Sequence, residues 1–317
     1  MANILEFHLK TVEMKKISIM SAVAAACIAA SCAQGGNAPA GTSQAKKEIA
    51  VQLYSVRDLI GSFGNNSNDY TQVLDTLAKM GYTAVEAASY ADGKLYGKDP
   101  AAFKADVEAA GMEVLSSHIG RNLSAKELAS GDFSESLAWW DECIAAHKAA
   151  GMKYIVMPSM EVPATLEGLQ TCCDYFNAVG RKCAEQGIAF GYHNHNFEFR
   201  KIGDEVMYDY MISHTDPSLV FFEMDVYWTV IADASPVEYF KKYPGRFRIL
   251  HIKDEKEIGQ SGMIGFDAIF ANKETAGVEH IVVEVERYSY TDVERSMKES
   301  IEYLENASFV PVSYTDK

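Results

Sequence analysis

From residue 49 onward, short runs of β-branched and apolar residues alternate with stretches in which apolar residues recur at helical spacing. The apolar runs are predicted strands, and each interval between them holds a helix and two loops. Strands that are apolar on both faces are typical of a parallel sheet covered by helices. The eight predicted strands are residues 49–54, 82–87, 112–118, 153–158, 188–193, 219–225, 247–253 and 280–286.

Eight strand–helix units in succession predict an α/β fold, a single (β/α)8 TIM barrel over residues 49–306 with a C-terminal tail at 307–317. An open, doubly wound sheet is the alternative. Its usual nucleotide-binding motifs, GxGxxG and GxxxxGK, follow none of the predicted strands. The barrel is therefore favoured, and no second domain is expected.

The N-terminal region has the pattern of an export signal. Lys15 and Lys16 precede an apolar run that ends in small residues before Cys32. The ending Ala29–Cys32 resembles the lipobox of bacterial lipoproteins, which implies lipidation of Cys32. A plain secretory peptide is the alternative. We expect residues 1–32 to be the signal region, with Met14 as the true start.

Residues 33–48 are rich in Gly, Ala and Ser and have no apolar periodicity, so they predict a flexible tether. The protein is then expected to be exported and to contact the membrane only through a lipid anchor. No acidic cluster follows Cys32, which favours the periplasmic side over surface display. Buried thiols are expected for the cysteines beyond the tether, whose disulfide state the sequence leaves open: Cys143, Cys172, Cys173 and Cys183.

Composition narrows the classes of function. The 317 residues include 29 Lys and Arg against 44 Asp and Glu, a formal charge of −15. This balance, without any basic run, argues against a nucleic-acid partner. Six cysteines without a CxxC pair argue against a disulfide scaffold and against structural zinc.

Polar residues cluster where the predicted strands end, which is where a (β/α)8 barrel carries its catalytic groups. Two imidazoles and two carboxylates on strands five to eight would meet at one mouth, and such a set suits Mn²⁺, Co²⁺, Zn²⁺ or Fe²⁺. A ring of hydrogen-bonded His–carboxylate pairs without metal is the alternative. The four residues are His193, Asp225, His251 and Glu284.

A set of segments, taken together and in order, resembles the xylose-isomerase-like TIM-barrel superfamily in its sugar phosphate isomerase/epimerase branch. The resemblance covers Ile49 to about Glu305. It implies one divalent metal ion held by the same four residues. Many relatives have Glu on strand five, so His193 replaces one of the two glutamates that serve the epimerases as an acid/base pair. The segments are 51–58, 192–195, 224–228, 244–246, 250–254 and 283–284.

The chemistry expected of such a site is removal of a proton next to a metal-polarised carbonyl, giving an enediolate. Reprotonation makes an isomerase or epimerase, which is the function we expect. The alternative is a carbon–oxygen lyase that expels the leaving group of a keto-glycoside. The candidate catalytic residues are Glu284, His195, Lys253 and His118. The candidate substrate contacts are Gln52, Tyr54, Arg57, Glu86, Glu198 and Trp228.

Export and negative charge together favour a small neutral carbohydrate over a sugar phosphate as the substrate. Two other functions compete with the enzyme. A non-catalytic, sugar-binding lipoprotein would bind without proton exchange. A DNA-repair endonuclease, which shares the superfamily, needs a basic groove that the charge does not support. The sequence is compatible with a homo-oligomer and does not decide the oligomeric state.

Overall fold

The computed structural model describes residues 46–60 and 70–314, and every predicted strand forms there. Each observed strand lies within its predicted run. The strands are β1 (Ala50–Gln52), β2 (Ala84–Ala87), β3 (Glu113–Ser117), β4 (Tyr154–Met157), β5 (Ala189–His193), β6 (Val220–Asp225), β7 (Ile249–Lys253) and β8 (His280–Glu284). The predicted signal region, the lipidation site Cys32 and most of the tether lie outside the described residues.

The eight strands form one parallel sheet in the order β3-β2-β1-β8-β7-β6-β5-β4. Its two edges join, because the Ile119 amide donates to the Val156 carbonyl (2.9 Å) and the Lys153 amide donates to the Leu115 carbonyl (3.0 Å). His118 and Val156 are also bridged in parallel. The sheet is therefore closed, and the predicted single (β/α)8 barrel is confirmed.

Helices surround this barrel, and the longer ones bury apolar side chains against it. In the helix Leu166–Glu185, Gly180 lies so close to β6 that a Cβ atom there would be 2.4 Å from the Leu219 carbonyl oxygen. The α-helices are Arg57–Ile60, Tyr70–Met80, Pro100–Ala109, Ala125–Ser130, Ser134–Ala149, Leu166–Glu185, Met207–His214, Val226–Ile231, Pro236–Lys242, Phe266–Ala271, Lys273–Ala276 and Val293–Asn306. Short 3₁₀ turns are Leu53–Val56 and Phe197–Phe199, and small hairpins pair Tyr90–Ala91 with Lys94–Leu95 and Lys201–Ile202 with Glu205–Val206.

The two ends of the described chain pack together, which shortens both the predicted tether and the predicted tail. Lys47 donates to the carbonyls of Leu304 (3.0 Å) and Ala307 (2.6 Å) at the end of the last helix. Its ammonium satisfies carbonyls that lack an intrahelical partner. The Glu48 amide donates to Val312, and Tyr314 is buried. Residues 46–48 and 307–314 thus belong to the packed domain.

The cysteines of the barrel match their expectation. Cys143, Cys172, Cys173 and Cys183 are all buried and unpaired as thiols. Burial raises the pKa of Cys172 to about 11, so this thiol is not an ionised nucleophile at neutral pH. Over the described residues, no helix combines the length and apolar character that crossing a bilayer requires.

A buried histidine should make the barrel sensitive to acid. His147 has no exposed surface, and its Nδ1 lies 2.7 Å from the Cys143 carbonyl oxygen. Burial lowers its pKa from 6.5 to about 4. Between these values the unfolded chain binds a proton that the folded chain does not, so stability falls as the pH falls from 6.5 toward 4.

We expect this histidine to remove at most about 3 kcal/mol of unfolding free energy over that range. Urea unfolding at pH 7 and pH 4.5 measures the loss, and His147→Gln should flatten the pH dependence. A variant with the same slope as the parent protein would contradict the assignment.

Candidate active site

Four buried side chains converge at the carboxyl ends of β5 to β8. One ligand atom from each of His193, Asp225, His251 and Glu284 lies within 4.8 Å of the others. His193 Nε2 is 3.5 Å from Asp225 Oδ2, and His251 Nδ1 is 3.4 Å from Glu284 Oε2. Neighbouring parallel strands end at the same edge of the barrel, and this brings the four groups together.

Three of these ligand atoms are buried without a hydrogen-bond partner among the described residues: His193 Nε2, Asp225 Oδ2 and His251 Nδ1. Leaving such atoms unsatisfied is costly, and they point to a group that the protein is built to hold. A divalent cation accepts lone pairs from imidazole nitrogen and carboxylate oxygen alike. The four residues therefore fit the metal site that the sequence predicts.

The surroundings orient each ligand. His193 Nδ1 lies 3.3 Å from the Pro158 carbonyl, which leaves Nε2 free to face Asp225. Asp225 Oδ1 accepts from the Trp228 amide (2.9 Å) and caps the helix Val226–Ile231, so its other oxygen points inward. His251 Nε2 is 2.8 Å from Glu86 Oε1. A carboxylate that hydrogen-bonds the other nitrogen of a ligating histidine fixes the tautomer and the orientation of the imidazole ring.

Glu86 and Gln52, both predicted to bind substrate, lie beneath this site and have no exposed surface. Gln52 Nε2 donates to Glu86 Oε1 (2.8 Å), and Ser116 donates to Glu86 Oε2 (2.6 Å). Burial alone would raise the pKa of Glu86, but contacts with His118 and His251 outweigh it and lower the pKa to about 2. Gln52 and Ser116 therefore hold Glu86 as an ionised acceptor behind His251. Contact of Gln52 and Glu86 with substrate stays a prediction.

Glu223 is a member of the site that the predicted site residues omit. It lies two residues before Asp225 on β6, so its side chain points to the same face, a spacing that could have revealed it. Its Oε2 is 2.5 Å from His118 Nε2 and 3.3 Å from His251 Nε2. Burial and the neighbouring Glu86 raise its pKa well above 4.5. These short contacts make it part of a hydrogen-bonded network next to the four ligands.

The protonation state of His251 depends on whether a cation is bound at the site. Burial would lower its pKa, but Glu223, Glu284 and Glu86 together hold the pKa well above 6.5. A proton and a divalent cation compete for the same Nδ1 atom, so cation binding releases a proton.

Lys253 neutralises the carboxylates at the edge of the cluster. Its Nζ lies 2.9 Å from Glu284 Oε2, 2.7 Å from Glu286 Oε2 and 4.0 Å from Asp225 Oδ2. Burial opposes the charge, yet these carboxylates raise the pKa of Lys253, so the ammonium persists at neutral pH. The Trp228 ring lies 5.2 Å from the ammonium. A buried positive charge thus stands beside two of the four ligands.

A cavity of about 430 Å³ opens beside the cluster, within the usual range for small-molecule sites. Of the candidate catalytic residues, His118, His195 and Glu284 line it. Burial, followed by the neighbouring His193, lowers the pKa of His195 to about 3, so this imidazole is neutral at pH 7. Its lining residues are Tyr54, Ala88, Tyr90, His118, Ile119, Gly120, Pro158, Ser159, His193, His195, Glu284 and Glu286.

Three other predicted substrate contacts lie outside this lining. Glu198 is fully buried and accepts from the Tyr192 hydroxyl and the His195 amide, each at 2.8 Å. Burial raises its pKa to about 7. Arg57 donates to the backbone carbonyls of Tyr54 and Glu286 and so links the segments that follow β1 and β8.

The Trp228 ring lies near the Lys253 ammonium and 5.8 Å from the His195 ring, and its backbone amide donates to Asp225 Oδ1. Among the six predicted substrate contacts, and in the part of the chain that the structure describes, Tyr54 alone lines the cavity.

The family model of the xylose isomerase-like TIM barrel matches residues 74–307, which is most of the chain and includes all four candidate ligands. The chain belongs to this family. Its membership confirms the resemblance drawn from the sequence and agrees with the closed barrel described above.

Individual relatives carry names from two enzyme classes. Inosose dehydratase of Geobacillus kaustophilus is 26% identical over 217 residues, 63% of this chain and 66% of that protein. A crystal structure of a sugar phosphate isomerase/epimerase from Parabacteroides distasonis is 34% identical, covers 84% of this chain and all of its own, and has a TM-score of 0.76. The 3-keto-D-glucoside 4-epimerase of E. coli, 20% identical over 83% of this chain and all of its own with a TM-score of 0.60, shows the shared fold.

The match spans just under two thirds of the length of the curated dehydratases. The names of these relatives fit the two classes predicted from the sequence, isomerase and carbon–oxygen lyase.

Proposed function

We propose that this protein is a divalent-metal-dependent enzyme that removes a proton next to the carbonyl of a neutral sugar. The observation that carries the proposal is the set of three unpartnered ligand atoms, joined by Glu284, at the edge of a sugar-sized cavity. When bound, a divalent cation supplies Lewis-acid polarisation of a carbonyl. The donor set suits Mn²⁺, Co²⁺, Zn²⁺ or Fe²⁺.

A neutral substrate follows from the charges around the cavity. Within the described chain, the lining contains two glutamates, Glu284 and Glu286, and neither Lys nor Arg. Lys253 lies nearby, but its charge is balanced by the same glutamates. Apart from the proposed metal ion, a phosphate group in this lining would meet carboxylates and no Lys or Arg side chain to offset them.

Localisation supports the same choice of substrate. We keep the proposal that the mature protein is an exported lipoprotein anchored through Cys32 and facing the periplasm, where neutral sugars are available. The signal-like pattern of residues 14–32 supports it.

The arrangement of proton-transfer groups favours a carbon–oxygen lyase. Glu284, Glu286 and Lys253 lie together at the ends of β7 and β8. At the end of β5 the chain has His193, where the family resemblance implies the second carboxylate of an epimerase. An elimination can be served from one side: a base takes the proton next to the carbonyl, the C–O bond at the following carbon breaks, and the leaving oxygen receives a proton as the alcohol departs. Lys253, kept charged by its neighbours, is the donor on that side.

An isomerase or epimerase is the second candidate, and His118 and His195 are the residues that favour it. They line the cavity apart from the β8 glutamates and would serve the opposite face of a sugar ring. The Parabacteroides distasonis structure supports this candidate by its name.

Solvent exchange separates these possibilities. Protein loaded in turn with Mn²⁺, Co²⁺ and Zn²⁺ is incubated in D₂O with 3-keto-glycosides and with free ketoses, and the products are followed by NMR. We expect deuterium next to the carbonyl and release of the glycoside's alcohol. Deuterium exchange that accompanies conversion to an isomeric sugar, without released alcohol, would identify the protein as an isomerase or epimerase. Binding without exchange in either substrate class would contradict both and leave a sugar-binding protein.

A further inference from the structure

The cavity beside the metal cluster has two chemically different halves. The half formed by β5 and β8 holds His193, His195, Glu284 and Glu286. The other half is formed by the loops after β2, β3 and β4, and His118 lies at its border. Its lining residues are apolar except for Ser159 and the hydroxyl group of Tyr90. We call this half the apolar arm, and define it by Ala88, Tyr90, Ile119, Gly120 and Pro158.

Tyr90 gives the apolar arm a rigid aromatic wall. Behind its ring lie Trp139, edge-on at 6.0 Å, and the buried His147 at 4.9 Å. The residue begins a hairpin whose turn includes Asp92 and Gly93, both at positive φ, so the chain reverses tightly after it. A braced ring loses little freedom on binding a ligand, and it offers a π face to a flat partner.

The backbone at Gly120 runs close to Met157. A Cβ atom at this position would lie 2.7 Å from Cγ of Met157, so no larger residue fits without moving that side chain. The whole cavity, at about 430 Å³, has room for more than one pyranose ring.

We propose that the apolar arm binds the aglycone of a glycoside, specifically an aromatic or similarly flat apolar group, while the sugar ring occupies the half next to the metal ligands. This inference rests on the proposed function, since it names the group that an elimination would release. A free monosaccharide would leave the apolar surfaces of Tyr90, Ile119 and Pro158 exposed to water. An aromatic aglycone covers them and gains the hydrophobic free energy of their burial.

Binding of unoxidised glycosides tests the arm without any turnover. Phenyl β-D-glucopyranoside and methyl β-D-glucopyranoside share the sugar and differ in the aglycone, and calorimetry with the full, metal-loaded chain measures both affinities. We expect the phenyl compound to bind at least about tenfold more tightly. Saturation-transfer NMR should give the strongest signals on its phenyl protons.

Two variants locate the effect. Tyr90→Leu keeps an apolar side chain and removes the ring, and Ile119→Ser removes an apolar surface from the neighbouring loop after β3. Each variant should lower the affinity for the phenyl compound by about threefold to tenfold and leave the affinity for the methyl compound unchanged. Thermal unfolding checks that both variants are folded.

Equal affinities for the two glucosides, no measurable binding of either, or equal weakening of both in Tyr90→Leu would overturn the proposal. If the proposed function is wrong but the apolar arm is real, the results differ from these. The protein would still bind the phenyl glucoside more tightly through Tyr90, while keto-glycosides would show neither deuterium exchange nor release of their alcohol.

Discussion

Asp225→Asn is expected to remove most of the metal affinity and leave the fold intact. The Oδ1 atom of Asp225 caps a helix by accepting from the Trp228 amide, and an asparagine oxygen can do the same. The Oδ2 atom has no hydrogen-bond partner among the residues that the structure describes, and it lies 3.5 Å from His193 Nε2. Replacing this carboxylate with an uncharged amide removes one of the two anionic ligands, Asp225 and Glu284. We expect the dissociation constant for Mn²⁺ or Co²⁺ to rise by about 100-fold or more.

Calorimetric titration with each ion, together with elemental analysis of the purified protein, measures this change. Asp216→Asn is the matched control, because Asp216 precedes the same strand at its other end and its carboxylate accepts from Ser218 in an exposed turn. That variant should bind metal as the parent protein does. Wild-type affinity in Asp225→Asn would exclude Asp225 from the ligand set, and proton exchange from the substrate should fall together with metal content.

Glu86→Ala is expected to destabilise the barrel by about 3–5 kcal/mol, the range for losing one partner of a buried, charged hydrogen-bond network. Glu86 accepts from Gln52 and Ser116 and lies 2.8 Å from His251 Nε2, and each of these residues is fully buried. Alanine leaves their polar atoms without an acceptor in a place that water does not reach.

Urea unfolding measures the change in free energy. The control is Glu238→Ala, which removes an exposed partner of Lys241 and should cost about 0–1 kcal/mol. Glu86→Gln adds a milder test: the side chain keeps its shape but loses its charge, and metal affinity should fall by about 10- to 100-fold. If the unfolding free energy of Glu86→Ala lies within about 1 kcal/mol of the value for the parent protein, the network around Glu86 contributes little to stability.

Glu86 and Gln52 lie buried behind the ligands, outside the cavity lining, for a simple physical reason. Both lie at strand ends, where a barrel carries its functional groups, and the sequence pattern cannot distinguish a side chain at the cavity from one a layer beneath it. That difference depends on partners from other strands: Ser116 on β3, His118 just beyond it and His251 on β7. Glu198 lies outside the cavity lining for the same reason, since its acceptor role depends on the Tyr192 hydroxyl and the His195 amide.

The order of apolar and polar positions along the chain was sufficient to predict eight parallel strands, the closed barrel and the four residues that meet at its mouth. Each of these features follows from local periodicity and from the rule that parallel strands end at one edge. The tertiary structure alone decided which carboxylates reach the cavity, which lie behind the ligands, and that one half of the cavity is apolar. Those properties are set by contacts between residues far apart in sequence, such as Glu86 with His251, and by burial, neither of which has a periodic signature in the chain.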